Sequence, residues 1–173
     1  LVENLLFITR IENGTMQLNL QPELIEDIFH EAMVHLGRNR KEHKIDVQMQ
    51  DELLMAKMDA RLIIQVVVNL LNNAIKYTPK GSHILLKASK VEDKILIEVQ
   101  DDGNGVLHPN QLFEMFYTEN NRSGDTRRGM GLGLSLSKSI VLAHQGKIWV
   151  ENVKPHGACF KFVLDAIEVN LDE

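Results

Sequence analysis

The sequence predicts an α+β fold, a two-layer sandwich in which helices pack on one face of a mixed, mainly antiparallel sheet. Two observations lead to this prediction. Segments with apolar residues at helical spacing are interspersed along the chain with strand-like runs, and these runs are mostly connected as hairpins. The 173 residues are 44% hydrophobic, which is enough for one buried core.

The first half of the chain contains three predicted helices. The apolar spacing in "LVENLLFITRIENG" indicates a helix that ends at Gly14, and we interpret residues 1–14 as the end of a longer helix. Pro22 is predicted to open an amphipathic helix over "PELIEDIFHEAMVHL". "KIDVQMQ" alternates like a strand, and Asp59 is predicted to cap a third helix that runs through Tyr77.

The second half is richer in strands. "HILLKAS" and "KILIEVQ" predict an antiparallel hairpin with Ile95, Ile97 and Val99 on one face, and the hairpin ends in "DDGNG". Residues 117–129 lack apolar periodicity, as a mobile surface loop does. A glycine turn then enters a helix in "GLGLSLSKSIVLAHQG", and "KIWVEN" and "ACFKFVL" are predicted to be two closing strands.

Composition excludes some classes of partner and site. The net charge of −5 disfavours nucleic acid or an anionic membrane as the main partner, because both require clustered positive charge. The single cysteine, Cys159, allows no internal disulfide or cysteine-ligated zinc, which fits a reducing cytoplasmic setting. No apolar run is as long as a membrane span, so we expect any membrane anchor of the parent protein to lie outside this sequence.

The third predicted helix carries amides where solvated charges would be the usual choice. Asn69, Asn73 and Lys76 lie within about 60° of one another around the helix axis. A neutral amide oxygen suits Mg²⁺ that is shared with phosphate, and a lysine adds positive charge for the phosphates. A merely solvated helix face is the alternative, and this element alone leaves both open.

Two glycine clusters follow. Asp101 precedes Gly103 and Gly105, so a carboxylate acceptor stands beside backbone that can approach a ligand such as an exocyclic amine; an ordinary turn explains "DDGNG" equally well. Later glycines at alternate positions precede a helix whose free N–H groups could bind phosphate. Their spacing fits neither GxGxxG, because Leu134 takes the place of the third glycine, nor the P-loop.

Five motifs in fixed order carry a family resemblance. "NLLNNAIKYTP", "DDGNG", "LFEMFYT", "GMGLGLS" and "HGACF" resemble the N, G1, F, G2 and G3 boxes of the ATP-binding catalytic domain of bacterial two-component sensor histidine kinases, in the GHKL or HATPase superfamily. The sequence "RRGMGLGLSLSKSIVLAHQG" is most similar to that of the potassium-responsive KdpD-type kinases. The resemblance implies the GHKL (Bergerat) ATP-binding fold for residues 15–173, and it implies that residues 1–14 end the second dimerisation and phosphotransfer helix.

The resemblance also implies roles for individual residues. Asn73 would ligate Mg²⁺, Asp101 would receive the adenine amino group of ATP, and Asn69, Lys76 and Tyr77 would contact the nucleotide. Asn69, Asn73 and Lys76 would form the catalytic set. The remaining nucleotide-binding positions that it implies are Gly103, Gly105, Arg128, Gly131, Leu132, Gly133 and Leu134. The loop 117–129 would cover ATP, and Gly157 would be the third glycine box.

The sequence departs from the family pattern at two points. Thr118 stands where many relatives have an arginine, so Arg122, Arg127 and Arg128 are the candidates to replace its phosphate contact. The phosphoacceptor motif is absent. The segment that begins at His30 matches only the first three positions of that motif. We therefore interpret His30 as an ordinary helix residue.

The implied function is transfer of the ATP γ-phosphate to a histidine on the protein's own dimerisation helix. The implied partners are ATP with Mg²⁺, the dimerisation helices and a cytoplasmic response regulator, in a homodimeric parent protein of the bacterial cell membrane. The alternatives are a nucleotide-sensing module without chemistry, a GHKL-type ATPase, and an α/β domain with coincidental motifs. The ATPase is disfavoured because Asn69, an amide that cannot act as a base, stands where those enzymes have a glutamate.

Overall fold

The computed structural model describes residues 2–51, 53–115, 117 and 132–168. These residues form four α-helices and seven β-strands. The helices are α1 (Val2–Glu12), α2 (Ile25–Leu36), α3 (Ala60–Lys76) and α4 (Gly133–Ala143). The strands are β1 (Gln21–Leu24), β2 (Lys44–Met49), β3 (Met55–Met58), β4 (His83–Val91), β5 (Lys94–Asp101), β6 (Lys147–Asn152) and β7 (Ala158–Ile167).

The strands form one mixed sheet in the order β1-β3-β7-β5-β4-β2, with β6 also paired to β7. Among the described strands, β2 and β4 pair in parallel and every other pair is antiparallel. The predicted hairpin is β4–β5, and the two predicted closing strands are β6 and β7. The predicted mixed, mainly antiparallel sheet is therefore confirmed.

The helices cover one face of this sheet. α3 contacts β4 and β5, α4 contacts β6 and β7, and α2 and α1 pack on α3 and α4 respectively. Ile95, Ile97 and Val99 are buried on the β5 face as predicted, with Phe160 and Phe162 of β7 beside them. Burying each such side chain contributes about 1.5–3 kcal/mol. None of the described helices combines the length and apolarity needed to cross a membrane.

The start of α2 differs from the sequence prediction. Pro22 does not open the helix, because Gln21–Leu24 is the strand β1, which pairs with β3, and α2 begins at Ile25. β1 is the last strand of the sheet, and an edge strand tolerates a residue that lacks an N–H group. The sequence did not predict β3 either, since four residues are too few to display an alternating pattern.

Asp59 precedes α3 as predicted, but its carboxylate does not cap that helix. The carboxylate instead accepts hydrogen bonds from the Asn19 N–H and the Arg61 guanidinium, at 3.1 Å and 3.3–3.4 Å. Burial alone would raise the pKa of Asp59, but the hydrogen bonds from Arg61 and Asn19 outweigh it and lower the pKa. Asp59 therefore ties the chain before β1 to the start of α3.

His144 joins the other side of Asp59 to the end of α4. Its Nε2 accepts a hydrogen bond from the Asp59 backbone N–H at 3.0 Å, and its Nδ1–H donates to the Ile140 carbonyl at 2.8 Å. This arrangement requires the neutral ring. Burial lowers the pKa of His144 despite the opposing effects of the Ile140 carbonyl and the Asp59 carboxylate.

We expect this histidine to make stability depend on pH. Because its pKa is lowered in the folded state, the unfolded chain binds the proton first, so the stabilisation is complete above about pH 6.5 and is lost as pH falls below it. The free energy of unfolding of wild type minus that of His144→Gln should fall by at most about 1.4 kcal/mol per pH unit. Urea unfolding from pH 8 to pH 5 measures it, and a constant difference contradicts the assignment.

Candidate nucleotide-binding site

Three elements meet around the polar face of α3. At its C-terminal end, a Cβ added to Gly103, in the turn after β5, would lie 2.8 Å from Thr78 Cγ2. About two turns before the end of α3, the Asn69 amide nitrogen donates to the Gly133 carbonyl and the Ser137 hydroxyl of α4, each at 3.3 Å. The structure therefore brings the asparagine motif next to both glycine segments that the sequence singled out.

Asp101 is the last residue of β5 and is only 4% exposed. Its Oδ1 accepts hydrogen bonds from the Gly103 N–H at 2.9 Å and the Ala158 N–H at 3.2 Å. Within the described part of the chain, Oδ2 accepts none. One oxygen thus holds the carboxylate in place between two strands, and the other is left for an N–H donor.

Three glycines allow the backbone to close around this carboxylate. A Cβ at Gly103 would lie 3.2 Å from Asp101 Oδ1, and a Cβ at Gly105, where φ is +80°, would lie 2.6 Å from Asn152 Oδ1. A Cβ at Gly157, where φ is +120°, would lie 2.1 Å from the Asp101 carbonyl oxygen. The space on each of these backbones is already occupied, so a side chain fits at none of them without a shift.

The amides of α3 have different surroundings. Asn69 is engaged by the protein, because its Oδ1 accepts from Gln65 Nε2 at 2.9 Å while its nitrogen contacts α4. Asn73 is half-buried and its side chain makes no hydrogen bond to any described residue. Lys76 is half-buried too, and its Nζ lies 5.4 Å from the centre of the Tyr77 ring. Of Asn69 and Asn73, it is therefore Asn73 whose amide remains available to a ligand.

The start of α4 presents backbone without a side-chain cap. Leu132 is buried, Leu134 is half-buried against the core, and a Cβ at Gly133 would meet nothing within 4 Å. Among the described residues, the Gly133 backbone thus has open space beside it, as the close approach of an anion requires. Arg128 and Gly131 lie outside the described residues, as do Thr118, Arg122, Arg127 and most of the predicted loop 117–129.

Sequence reasoning missed several residues that shape the turn after β5. Asn152 clamps Val106 through both backbone groups, at 2.7 and 3.0 Å, and His156 Nδ1 donates to the Asp102 carbonyl at 2.7 Å. Thr78 packs against Gly103. Thr78 and His156 lie within recognised motifs, which was a usable signal, whereas nothing in the sequence around Asn152 indicated its contact.

A buried carboxylate at the end of a strand and a neighbouring helix with an amide and lysine face are the features of a nucleotide-binding domain. The chain belongs to the family of histidine kinase-, DNA gyrase B- and HSP90-like ATPases, whose model matches residues 58–168. The predicted GHKL fold and the resemblance to sensor histidine kinases are confirmed.

Individual relatives agree with this membership. The chain is 41% identical over 165 residues to the sensor protein KdpD of Clostridium acetobutylicum, a match that covers 94% of this chain and 18% of KdpD. It is 32% identical to the adaptive-response sensory kinase SasA of Gloeothece citriformis, covering 95% and 42% of the two chains. This chain thus spans less than half the length of these relatives.

Solved structures show the same fold. Full-length ShkA in complex with AMPPNP superimposes with a TM-score of 0.81 at 25% identity, covering 97% of this chain and 35% of ShkA. The nucleotide-free catalytic domain of the histidine kinase ThkA gives a TM-score of 0.75 at 25% identity, covering 87% and 98%.

Proposed function

We propose that this chain is the catalytic domain of a sensor histidine kinase and that it transfers the γ-phosphate of ATP to a histidine of the protein's own dimerisation helix. The observation that carries the proposal is the buried Asp101, fixed through Oδ1 with Oδ2 left to accept the adenine amino group. Tyr77 and the glycines 103 and 105 would line the base pocket.

The polar face of α3 would hold the phosphates. Asn73, whose amide makes no hydrogen bond to a described residue, would hold Mg²⁺, because a neutral amide oxygen suits this ion when phosphate oxygens supply the charge. Bound Mg²⁺ would neutralise charge on the phosphate oxygens. Lys76 would add a positive charge, and the N–H groups at the start of α4 would donate to phosphate. Asn69, whose amide donates a hydrogen bond to the Gly133 carbonyl, would fix the position of the start of α4 relative to Asn73.

The absence of an acidic residue in α3 favours phosphoryl transfer to a histidine over hydrolysis of ATP. The helix, ARLIIQVVVNLLNNAIK, contains no acidic residue, so no carboxylate on its polar face can take a proton from water. The position one turn before Asn73 is Asn69, whose oxygen accepts a hydrogen bond from Gln65. A nucleophile that brings its own reactivity, such as a histidine ring, then needs only positioning from this domain.

The remainder of the parent protein follows from the same proposal. α1, whose Ile8 is buried and which packs on α4, would be the end of the second dimerisation helix. The parent would be a homodimer in the bacterial cell membrane with this domain in the cytoplasm, and a cytoplasmic response regulator would receive the phosphoryl group.

A label-transfer experiment tests the reaction. The chain is mixed with Mg²⁺, ATP labelled at the γ-phosphate and a separately supplied dimerisation hairpin from a KdpD-type kinase. We expect acid-labile label on the histidine of that hairpin. Release of labelled phosphate without transfer would identify an ATPase, and binding without either product would identify a nucleotide-sensing module.

Asn73→Asp is the matched variant for this experiment. The substitution keeps the size and helical position of the side chain but adds a negative charge beside the phosphates and changes the metal ligand. We expect the transfer rate to fall at least tenfold while the melting temperature without nucleotide is unchanged. Equal Mg-ATP affinity and transfer rate would remove Asn73 from the metal site.

A further inference from the structure

A cavity lies outside the nucleotide site, between the end of α2, the 3-10 turn at residues 37–42 and the start of β2. Its volume is about 540 Å³, within the range that holds small organic ligands. Its lining residues are Met33, Val34, Gly37, Arg38, Arg40, His43 and Ile45. No role proposed above uses this cavity.

The walls combine an apolar surface with positive charge. Met33, Val34 and Ile45 are apolar, and Val34 is 60% exposed beside the opening. Arg38 and Arg40 are exposed and form no ion pair with any described residue. The surrounding sequence, GRNRKEHK, has four Lys or Arg residues and one acidic residue, Glu42, which pairs with Lys80, although the whole chain carries a net charge of −5. The local charge therefore favours an anion.

His43 connects this cavity to the nucleotide site. The Thr78 hydroxyl donates to the Ala74 carbonyl at 2.7 Å, so the 2.9 Å contact between Thr78 Oγ1 and His43 Nε2 requires the ring N–H as donor. His43 Nδ1 is then a bare acceptor, and it is buried with no hydrogen-bond partner among the described residues. An unsatisfied buried acceptor in a cavity wall gains energy from a ligand donor, and the O–H that a phosphate monoester keeps in its monoanionic form can supply that donor.

Thr78 links His43 to the turn after β5. Its hydroxyl contacts His43 and its Cγ2 lies at the turn backbone, 2.8 Å from where a Cβ of Gly103 would stand. Gly103 donates to the Asp101 carboxylate. A ligand that moves the His43 ring therefore acts on the carboxylate through one hydrogen bond, one packing contact and a second hydrogen bond.

We propose that this cavity is an effector site for a small organic anion, whose apolar part packs on Met33, Val34 and Ile45 and whose phosphate or carboxylate group binds Arg38 and Arg40. A guanidinium pair binds such groups with charge-assisted hydrogen bonds. Binding changes nucleotide affinity through His43 and Thr78. The coupling rests on the proposed nucleotide site, whereas the binding itself does not.

The binding test titrates the whole chain with 1-naphthyl phosphate, followed by backbone amide NMR shifts and calorimetry. We expect shifts within residues 33–45 and at least tenfold weaker binding by Arg38→Ala/Arg40→Ala, with Arg10→Ala/Lys57→Ala as the control that removes two other exposed charges. Val34→Glu, which adds a repelling carboxylate at the opening, should weaken binding similarly. Equal affinity of all variants, or shifts elsewhere, overturns the proposal.

Two simpler probes test the class of ligand. Inorganic phosphate supplies the charge without the apolar part, and 1-naphthol supplies the ring without the charge. Each should bind at least tenfold more weakly than 1-naphthyl phosphate. If either binds as tightly as the complete probe, the cavity does not select an organic anion.

Coupling is tested with Thr78→Val, which keeps the methyl group against Gly103 but removes the hydroxyl that meets His43. Saturating 1-naphthyl phosphate should change the ATP dissociation constant of the wild type at least threefold and leave that of Thr78→Val unchanged, although the variant still binds the probe. The same change in both proteins, or no change in the wild type, overturns the coupling. If the chain does not bind ATP at all, the proposed function fails while the probe titration still decides the cavity.

Discussion

Asp101→Asn is expected to lower the affinity for ATP about a hundredfold, equivalent to about 2.7 kcal/mol. The amide can keep the hydrogen bonds from the Gly103 and Ala158 N–H groups through its oxygen, so the turn should fold as before. Its nitrogen then replaces Oδ2, and an N–H₂ group faces the N–H₂ group of adenine where an acceptor is needed. Calorimetric titration with ATP measures the loss.

The neighbouring aspartate provides the matched control. Asp102 is exposed, and its carboxylate accepts from the His83 N–H at 3.2 and 3.3 Å. Asp102→Asn removes the same charge one residue away, and we expect ATP affinity to change less than threefold. Similar losses in both variants would mean that net charge near the turn, not the Asp101 acceptor, determines nucleotide binding.

The Asp101 variant should also lose its discrimination between bases. Guanine presents a carbonyl oxygen where adenine presents an amino group, and an asparagine can donate to that oxygen whereas a carboxylate cannot. The ratio of ATP to GTP affinity should therefore fall more than the ATP affinity alone would require. An unchanged ratio would place the base pocket elsewhere in the fold.

The local sequence pattern was sufficient to predict those features that depend on a single helix or strand. The two faces of α3 follow from helical spacing, and the buried Ile95, Ile97 and Val99 follow from strand alternation. The position of Asp101 at the end of β5 was predictable for the same reason, because the apolar alternation stops there. These features need no information about distant parts of the chain.

Features that depend on distant contacts were not predictable in this way. The local sequence predicts that Pro22 starts a helix, because it does not show that Pro22 pairs with β3, more than 30 residues later. Asp59 reads as a helix cap, yet its carboxylate meets Asn19, 40 residues earlier in the chain. The Asn152 clamp on Val106 spans 46 residues and leaves no periodic signal in the sequence.

For the asparagine motif, the family resemblance predicted which residues act together but not how their surroundings differ. It selected Asn69, Asn73 and Lys76 as one group, and the structure places Asn69 against α4 and Lys76 beside Tyr77 at the turn after β5. It did not indicate that the amide groups differ, since Asn69 is bonded to Gln65 and Gly133 whereas Asn73 bonds to no described side chain. Their separate roles at the nucleotide remain predictions that the substitutions test.

Gly157→Ala is expected to destabilise the fold by about 3 kcal/mol, the sum of a strained backbone and a forced shift in packing. The new Cβ would lie 2.1 Å from the Asp101 carbonyl oxygen and 3.1 Å from Val153 Cγ2, at a φ of +120°. Neither β5 nor β7 can move freely, because they pair with each other along Lys94–Gln100. For a domain of this size the melting temperature should fall by about 10 °C.

Gly81→Ala separates the two contributions to this loss. Gly81 also has a positive φ, +86°, but an added Cβ there meets nothing within 4 Å, so this variant carries backbone strain without a clash. We expect it to lose about 1 kcal/mol and to bind ATP normally. Gly157→Ala should lose more stability and also ATP affinity, because the displaced carbonyl belongs to the residue that would receive the adenine amino group. Equal stability losses would show that the contact with Asp101 relaxes without cost, and the third glycine box would then serve only the turn.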